Sequence, residues 1–182
     1  MKVTTFLTEG FETVEALAVV DILRRAGITV DLVSVSGEKA VKSAQGVVVN
    51  AEYTFDGHDI DDTDVIFLPG GPGHKLYEKN DKLIAQIRDF NNKNKYIAAI
   101  CAAPSILGRM GILEGKNATC FPGFEGELKG AKLADVKQRV VTDGNIITSR
   151  GMGTSVDLGL ELVKLLAGKE KAEELAVSTQ YR

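Results

Sequence analysis

One cysteine stands where the chain changes from a buried strand to a helix. Cys101 follows the apolar run Tyr96–Ile100 and precedes Ala102, Ala103 and Pro104, and proline suits the first turn of a helix. Backbone N–H groups at a helix start point toward such a side chain and stabilise a thiolate or an oxyanion. The sequence therefore predicts a nucleophilic thiol with a lowered pKa at Cys101. The alternative is an inert buried cysteine, which is common for free thiols.

An acidic residue lies on the apolar face of the first predicted helix. Glu15 precedes Val19 and Ile22 at helical spacing, so the three side chains share one stripe. A carboxyl group that faces the core has a raised pKa and stays protonated, which suits it to acid–base chemistry. The alternative is a solvated acid that favours the N-terminus of the helix.

A glycine-rich segment, Pro69-Gly70-Gly71-Pro72-Gly73, follows the buried run Val65–Leu68. Glycine allows the backbone to approach another group closely. If Cys101 ends a neighbouring strand of the same sheet, the N–H group of Gly71 faces its sulfur atom. Without that neighbour, the segment is only a tight turn.

Three motifs that would bind a phosphate, a dinucleotide or calcium are incomplete. Segment 111–117 lacks the length and the final Ser or Thr of a phosphate-binding loop, and Gly151-Met152-Gly153 lacks the third glycine of a dinucleotide fingerprint. The acidic segment 59–64 lacks the glycine and the closing glutamate of a calcium loop, so we expect a solvated loop there.

Two histidines and a second cysteine have no assigned role. His58 and His74 stand at no familiar metal-ligand spacing from Cys101, so we expect neither a metal nor a cofactor. His58 is expected to be exposed, whereas His74 follows the glycine-rich turn and is a candidate neighbour of the thiol. Cys120 is either a small apolar filler or a backup thiol, which would need its Cα within about 7 Å of that of Cys101 to form a disulfide.

The elements that must position these residues alternate between strands and helices. Strands are predicted over Lys2–Leu7, 29–35, Val65–Leu68 and Tyr96–Ile100, with further β character over 45–53, 116–119, 139–142 and 145–149. Helices are predicted over 12–26, 81–90, 154–166 and 170–178, and from about Ala103. Asp143-Gly144 is the expected hairpin turn. This alternation favours a parallel sheet covered on both faces, with ligands bound beyond the carboxyl ends of its strands.

Composition limits the class of function. A chain of 182 residues with 44% hydrophobic and 26% charged residues fits one globular domain over 1–182. A formal net charge of -3 without a basic run gives no general attraction to nucleic acid or to an anionic membrane. No segment reaches the length of a membrane span or forms a signal peptide. Only two cysteines occur, which excludes a disulfide scaffold and predicts a cytoplasmic protein.

Five segments, taken together and in order, resemble the ThiJ/PfpI superfamily in its DJ-one-like branch. They are residues 7–15, 20–27, Leu68-Pro69-Gly70-Gly71, 98–104 and 148–154, and the likeness covers nearly the whole chain. The resemblance implies a flavodoxin-like three-layer α/β/α sandwich with a mostly parallel sheet and a cysteine nucleophile elbow. It also implies a single class I glutamine amidotransferase-like domain that forms a homodimer.

The resemblance also implies roles for four residues. Cys101 is the nucleophile on a strained elbow, and Glu15 is a protonated acid hydrogen-bonded to its thiolate. The N–H groups of Gly71 and Ala102 lie at the oxyanion position. Activities attributed to this branch include cofactor-free conversion of 2-oxoaldehydes to 2-hydroxy acids, protein deglycation, redox sensing and chaperone action.

Two positions depart from other branches of the superfamily. Ala102 stands where the protease-like branch has a histidine, which disfavours a Cys–His peptidase. Phe121 stands where some relatives have a histidine, so Glu15 must carry more of the proton transfer. The leading hypothesis is a glyoxalase- or deglycase-type hydro-lyase or hydrolase that acts on a small carbonyl substrate. The alternatives are a non-catalytic oxidative-stress sensor or chaperone through oxidation of Cys101 and, more weakly, an amidase or peptidase.

Overall fold

The computed structural model describes residues 1–181. The strands are β1 (Lys2–Leu7), β2 (Thr29–Ser34), β3 (Ala40–Lys42), β4 (Val48–Asn50), β5 (Tyr53–Thr54), β6 (Val65–Leu68), β7 (Tyr96–Ile100), β8 (Asn117–Ala118), β9 (Lys132–Leu133), β10 (Val140–Asp143) and β11 (Ile146–Ser149). The α-helices are α1 (Thr13–Arg25), α2 (Asp81–Asn92), α3 (Pro104–Arg109), α4 (Ser155–Ala167) and α5 (Lys169–Ser178). Short 3-10 segments lie at Phe55–Gly57, Pro72–Lys79, Glu125–Glu127 and Met152–Thr154.

Seven strands form the central sheet in the order β10-β11-β7-β6-β1-β2-β5. All neighbours in it are parallel except the β10–β11 hairpin at one edge. Two small sheets, β3–β4 and β8–β9, lie outside it. The mostly parallel sheet expected from the alternation of strands and helices is therefore confirmed.

Two hydrophobic clusters cover the two faces of this sheet. One joins α1, α4 and α5 to the sheet through fully buried side chains such as Val19 and Leu158. The other joins α2 and α3 to the opposite face through side chains such as Leu83 and Ile106. Each such side chain contributes about 1.5–3 kcal/mol when it leaves water, so both layers are held by their apolar stripes. The result is the predicted α/β/α sandwich.

Some elements differ from the sequence prediction. The β character at 45–53 divides into β4, which pairs with β3, and β5, which forms the edge of the main sheet. The hairpin turn consists of Gly144 and Asn145, one position later than predicted, because Asp143 still pairs with Ile146. Helix α3 has only six residues. Within residues 1–181, no helix combines the length and the apolar character that crossing a bilayer requires.

The strand order brings three chemically important strand ends together. Strand β6 lies between β7 and β1, and all three run in the same direction. The Cys101 elbow, the glycine-rich turn and the start of α1 therefore meet at one edge of the sheet. This is the edge where ligands bind in open α/β sheets.

Candidate active site

Cys101 occupies a strained elbow between β7 and α3. Its backbone φ angle is 65°, in the left-handed region that costs a non-glycine residue roughly 1–2 kcal/mol. Two hydrogen bonds hold this conformation: the Cys101 N–H donates to the Ser149 carbonyl at 3.0 Å, and its carbonyl accepts from the Phe121 N–H at 2.8 Å. The predicted sharp turn is confirmed, and the thiol is half-buried at its tip.

Glu15 is buried beside this thiol, with 1% of its surface exposed. Its Oε2 atom accepts a hydrogen bond from the Gly70 N–H at 2.9 Å, and the carboxylate is also bonded to Cys101 and to the Met152 N–H. Burial raises the pKa of the Glu15 carboxyl to about 7, against the lowering effect of these hydrogen bonds. The solvated alternative for Glu15 is therefore wrong.

The two predicted N–H donors are in contact with the sulfur atom. The N–H groups of Gly71 and Ala102 both donate to Cys101. Gly71 has a φ angle of 92°, and a Cβ atom there would lie 2.5 Å from the Glu12 nitrogen, so the backbone reaches this position only as glycine. This arrangement has the geometry of an oxyanion-stabilising pair.

Gly70 is a site residue that sequence analysis did not identify. A Cβ atom at Gly70 would lie 2.6 Å from the Cys101 Cβ and 2.7 Å from Glu15 Oε2. The missing side chain is what allows the thiol and the carboxyl group to share one space. The available signal was its position directly after β6 in the Leu68-Pro69-Gly70-Gly71 run.

The predicted lowering of the Cys101 pKa is wrong for the state in which Glu15 is ionised. Burial, the charge of the Glu15 carboxylate and their hydrogen bond raise the pKa of the thiol to about 12, against the N–H groups of Gly71 and Ala102. The helix-start argument omitted both the loss of water and the neighbouring carboxylate. Because the two groups are coupled, they titrate as a pair. Between the two ionisations the pair holds one proton: Cys101 is a thiolate when that proton is on Glu15, and Glu15 is a carboxylate when it is on Cys101.

A cavity of about 680 Å³ opens over the thiol. Its walls are mainly apolar, and they include Val14, Val47, Phe121, Phe124 and Met152. This volume lies within the roughly 300–1,000 Å³ of sites that enclose small-molecule ligands.

His74 lies in this cavity wall, whereas His58 does not. His74 is 3% exposed, its Nδ1–H donates to the Gly71 carbonyl at 2.9 Å, and burial lowers its pKa. His58 is far less exposed than expected, because it stacks on Tyr53 and bonds to Asp31 at 2.9 Å. No three His, Cys, Asp or Glu side chains among residues 1–181 are grouped to hold a metal ion.

Cys120 is a buried free thiol. It is 2% exposed and belongs to the hydrophobic cluster of α2 and α3, whereas Cys101 packs against the cluster on the other face. Burial raises the pKa of Cys120 to about 11. These surroundings favour the filler interpretation over the backup thiol.

Several known proteins are similar to this chain in sequence. The model of the DJ-1/PfpI family matches residues 1–165. The chain is 37% identical over 171 residues to Protein dj-1beta of Drosophila melanogaster, across 93% of this chain and 91% of that protein. It is 38% identical over 179 residues to Protein DJ-1 homolog B of Arabidopsis thaliana, across 96% of this chain but only 40% of that protein's length. A Thermococcus kodakarensis protein named as a deglycase is 31% identical over 166 residues, across 91% of this chain and 99% of that protein.

A solved structure agrees with these sequence matches. Oxidized DJ-1 of Toxoplasma gondii superposes with a TM-score of 0.93 at 31% identity, over 98% of this chain and 97% of that one. The chain thus combines the sandwich and the cysteine elbow with similarity to these proteins, in sequence and in structure, over nearly its whole length. The chain belongs to the DJ-1/PfpI family.

Proposed function

We propose that this protein is a cysteine-dependent, cofactor-free enzyme that converts small 2-oxoaldehydes, or their adducts on proteins, to 2-hydroxy acids. The observation that carries the proposal is the buried Glu15 carboxyl group, whose pKa is about 7, bonded to the Cys101 thiol. A carboxyl group with this pKa can both donate and accept a proton near neutral pH, as general acid–base catalysis requires. The deglycase name of the relative in Thermococcus kodakarensis supports the same class of reaction.

The first step uses the thiolate and the two N–H donors. With the shared proton on Glu15, the Cys101 sulfur attacks the aldehyde carbon of methylglyoxal and forms a C–S bond. The carbonyl electron pair moves to oxygen, next to the N–H groups of Gly71 and Ala102. Glu15 then protonates this oxygen, and the product is a hemithioacetal.

The second step is an internal redox exchange between two carbons of the substrate. The Glu15 carboxylate takes the hydrogen of the former aldehyde carbon as a proton, which gives an enediol, and returns it to the neighbouring carbon. The hydroxyl proton on the first carbon passes to the oxygen of the second, which leaves a thioester of the 2-hydroxy acid. Water then breaks the C–S bond, and it supplies hydroxyl to the acyl carbon and a proton to the thiolate. No external oxidant or reductant is needed.

A peptidase or amidase is less well supported. Ala102 carries no imidazole, and the ring of Phe121 occupies the other position where relatives have a base. Within residues 1–181, no histidine is hydrogen-bonded to Cys101, and His74 uses its Nδ1–H on the Gly71 carbonyl. The base that such reactions need is therefore absent from the thiol.

A redox sensor is the second candidate, because the same contacts would stabilise an oxidised sulfur. The N–H groups of Gly71 and Ala102 and a protonated Glu15 could all donate to the oxygen atoms of a sulfinate at Cys101. The solved structure of the Toxoplasma gondii relative is of an oxidized form. We further propose that the protein is a homodimer and that it lies in the cytoplasm. The homodimer rests on the family resemblance, and sedimentation would test it through the mass in solution. The cytoplasmic location rests on the two thiols that remain unpaired.

Turnover of methylglyoxal by the purified protein tests the enzyme proposal. We expect formation of lactate, its loss in Cys101→Ala, and a fall of at least about 100-fold in Glu15→Gln, since the amide cannot transfer the proton. Alkylation of Cys101 should persist in Glu15→Gln. The amide oxygen still accepts from the Gly70 N–H, so the side chain keeps its place and the geometry around the thiol is retained. Cys120→Ala, which removes the other thiol, is the matched control and should retain turnover. An active Cys101→Ala, or a wild type that is inactive but readily oxidised at Cys101, would favour the alternatives.

A further inference from the structure

Thr154 precedes α4 but does not act on that helix in the usual way. A threonine directly before a helix commonly accepts a hydrogen bond from an N–H group of the first helical turn. Within residues 1–181, the Thr154 side chain makes no such bond to α4. The residue is nevertheless buried, with 7% of its surface exposed. Its hydroxyl group therefore has partners inside the protein, and these lie in the turn before the helix.

The Thr154 hydroxyl closes the turn 151–154. It donates to the Gly151 carbonyl at 2.8 Å and accepts from the Gly151 N–H at 3.1 Å. The Thr154 N–H donates to the same carbonyl at 2.8 Å. The hydroxyl of Ser149, a fully buried residue at the end of β11, lies 2.7 Å from Thr154 Oγ1. One side chain, anchored on the sheet, thus holds both polar groups of the Gly151 backbone.

The Gly151 carbonyl and the Met152 N–H belong to the same planar peptide unit. In this trans peptide the two bonds point in opposite directions, so fixing the carbonyl also fixes the direction of the N–H. The Met152 N–H donates to Glu15. The turn lies close to that carboxyl group, since a Cβ atom at Gly151 would be 3.8 Å from Glu15 Oε1. The Gly70 N–H bonds to the other oxygen, Oε2. Two separate turns therefore direct backbone N–H groups at Glu15.

These N–H groups oppose the effect of burial on Glu15. An N–H donor stabilises the negative charge of a carboxylate, whereas burial penalises it. The aim of the donors therefore decides how readily Glu15 releases its proton. We propose that Thr154 is a positioning residue of the active site: its hydroxyl orients the Gly151–Met152 peptide so that the Met152 N–H donates to Glu15 and eases release of the proton that Glu15 shares with Cys101. The consequence for turnover rests on the proposed function, whereas the effect on the ionisation of Glu15 requires no substrate.

Titration of the Glu15 carboxyl carbon by NMR tests this proposal without a substrate. The measurement uses Cys101→Ala as the background, so that Glu15 titrates alone and not as half of a coupled pair. Glu15→Gln assigns the signal. Thr154→Val removes the hydroxyl and nearly keeps the shape. It should raise the midpoint by about one pH unit, as expected when a hydrogen bond to a charged group is lost. Thr154→Ser keeps the hydroxyl and should leave the midpoint unchanged.

Met152→Pro removes the N–H donor itself. Proline has no N–H, and it suits the first position of the 3-10 segment Met152–Thr154. Gly151 already has the extended backbone that precedes a proline. We expect the same rise in the Glu15 midpoint as in Thr154→Val. If Thr154 acts through the Met152 N–H, Thr154→Val should add no further rise in Met152→Pro. Met152→Ala, which changes the side chain and keeps the N–H, is the matched control.

Thr63→Val controls for the loss of a buried hydroxyl elsewhere in the fold. Thr63 is fully buried, and its hydroxyl lies 2.7 Å from that of Thr4. It precedes β6, whereas the active site follows the end of that strand. This variant should lower stability toward urea and leave the Glu15 midpoint unchanged. If Thr154→Val does not fold, Thr154→Ala replaces it, because alanine places no methyl group against the Gly151 carbonyl.

The outcomes separate this inference from the proposed function. Lower stability of Thr154→Val with an unchanged Glu15 midpoint would mean that the hydroxyl only stabilises the turn, and it would overturn the inference. A further rise when Thr154→Val is added to Met152→Pro would also overturn it. Turnover needs a protonated Glu15 beside the thiolate, so the alkaline limb of the pH profile of kcat/KM should move to higher pH in both variants. A wild type without turnover would refute the enzyme proposal alone, since the NMR titration still decides the role of Thr154.

Discussion

Ionisation of Glu15 should lower the stability of the folded protein between pH 4.5 and pH 7. The pKa of this carboxyl rises from its ordinary value of 4.5 to about 7 in the fold, mainly because the group is buried. Below pH 4.5 the group is protonated in both the folded and the unfolded chain. As the pH rises through this interval, the unfolded chain loses the proton first, so the free energy of unfolding falls. Above about pH 7 the full loss is present.

The size of the loss follows from the two pKa values. A difference of one in pKa corresponds to about 1.4 kcal/mol. The rise from 4.5 to about 7 therefore corresponds to about 3 kcal/mol in the free energy of unfolding. Such a loss is a large fraction of the roughly 5–15 kcal/mol that holds a typical domain together.

The assay compares the wild type with Glu15→Gln by urea unfolding at several pH values between 4 and 8.5. The glutamine accepts from the Gly70 N–H but does not titrate, so other ionisable groups cancel in the difference. The stability of Glu15→Gln relative to the wild type should increase by about 3 kcal/mol over this range. Cys101→Ala removes a hydrogen bond that lowers the pKa of Glu15, so its loss of stability should begin at the same pH but continue to a higher pH.

A flat difference between wild type and Glu15→Gln would refute this reasoning. It would mean that the carboxyl group ionises in the fold as it does in water. In that case Glu15 could not act as a proton donor at neutral pH, and the proposed mechanism would lose its acid. Circular dichroism would show whether Glu15→Gln has lost its fold. If it has, Cys101→Ala provides the same test, through the direction in which the pH range of its stability loss moves relative to the wild type.

Two further predictions concern the packing around the thiol. Gly70→Ala should destabilise the fold by about 1–3 kcal/mol and abolish turnover, because the new Cβ would overlap Cys101 and Glu15; Gly126→Ala, with no atom within 4 Å of its Cβ, is the control for urea unfolding and should be near neutral. A slight excess of peroxide should add two oxygen atoms at Cys101 and leave Cys120 open to alkylation after unfolding, because the two thiols pack against opposite faces of the sheet. An intact mass that falls by two hydrogens would instead indicate a disulfide and contradict that placement.

The elements that sequence analysis predicted best are three inner strands of the main sheet. Strands β1, β6 and β7 have the predicted bounds, because their residues are buried on both faces and leave little choice of structure. Strands β3 and β9 were missed, since they contain three and two residues and are held by pairing with distant segments. A propensity signal of that length is too weak to read without the tertiary contacts.

The site was predictable to a different degree for each of its parts. The position of Cys101 after a buried strand indicated a turn, and the apolar stripe around Glu15 indicated burial. Gly70 was not identified, because a glycine in a turn has many possible reasons. Its actual reason is a steric one, and it depends on two side chains that are distant in sequence and adjacent only in the folded sheet.

The predicted lowering of the Cys101 pKa failed because it treated the thiol without its neighbour Glu15. A helix start offers N–H groups that stabilise a thiolate, and the sequence reveals them. Burial and a carboxylate at hydrogen-bond distance act in the opposite direction, and only the fold reveals those. The thiolate is favoured when the shared proton resides on Glu15, so the nucleophile depends on a buried acid that holds a proton at neutral pH. Loss of Glu15 burial would therefore lower the pKa of this carboxyl and remove the acid at neutral pH.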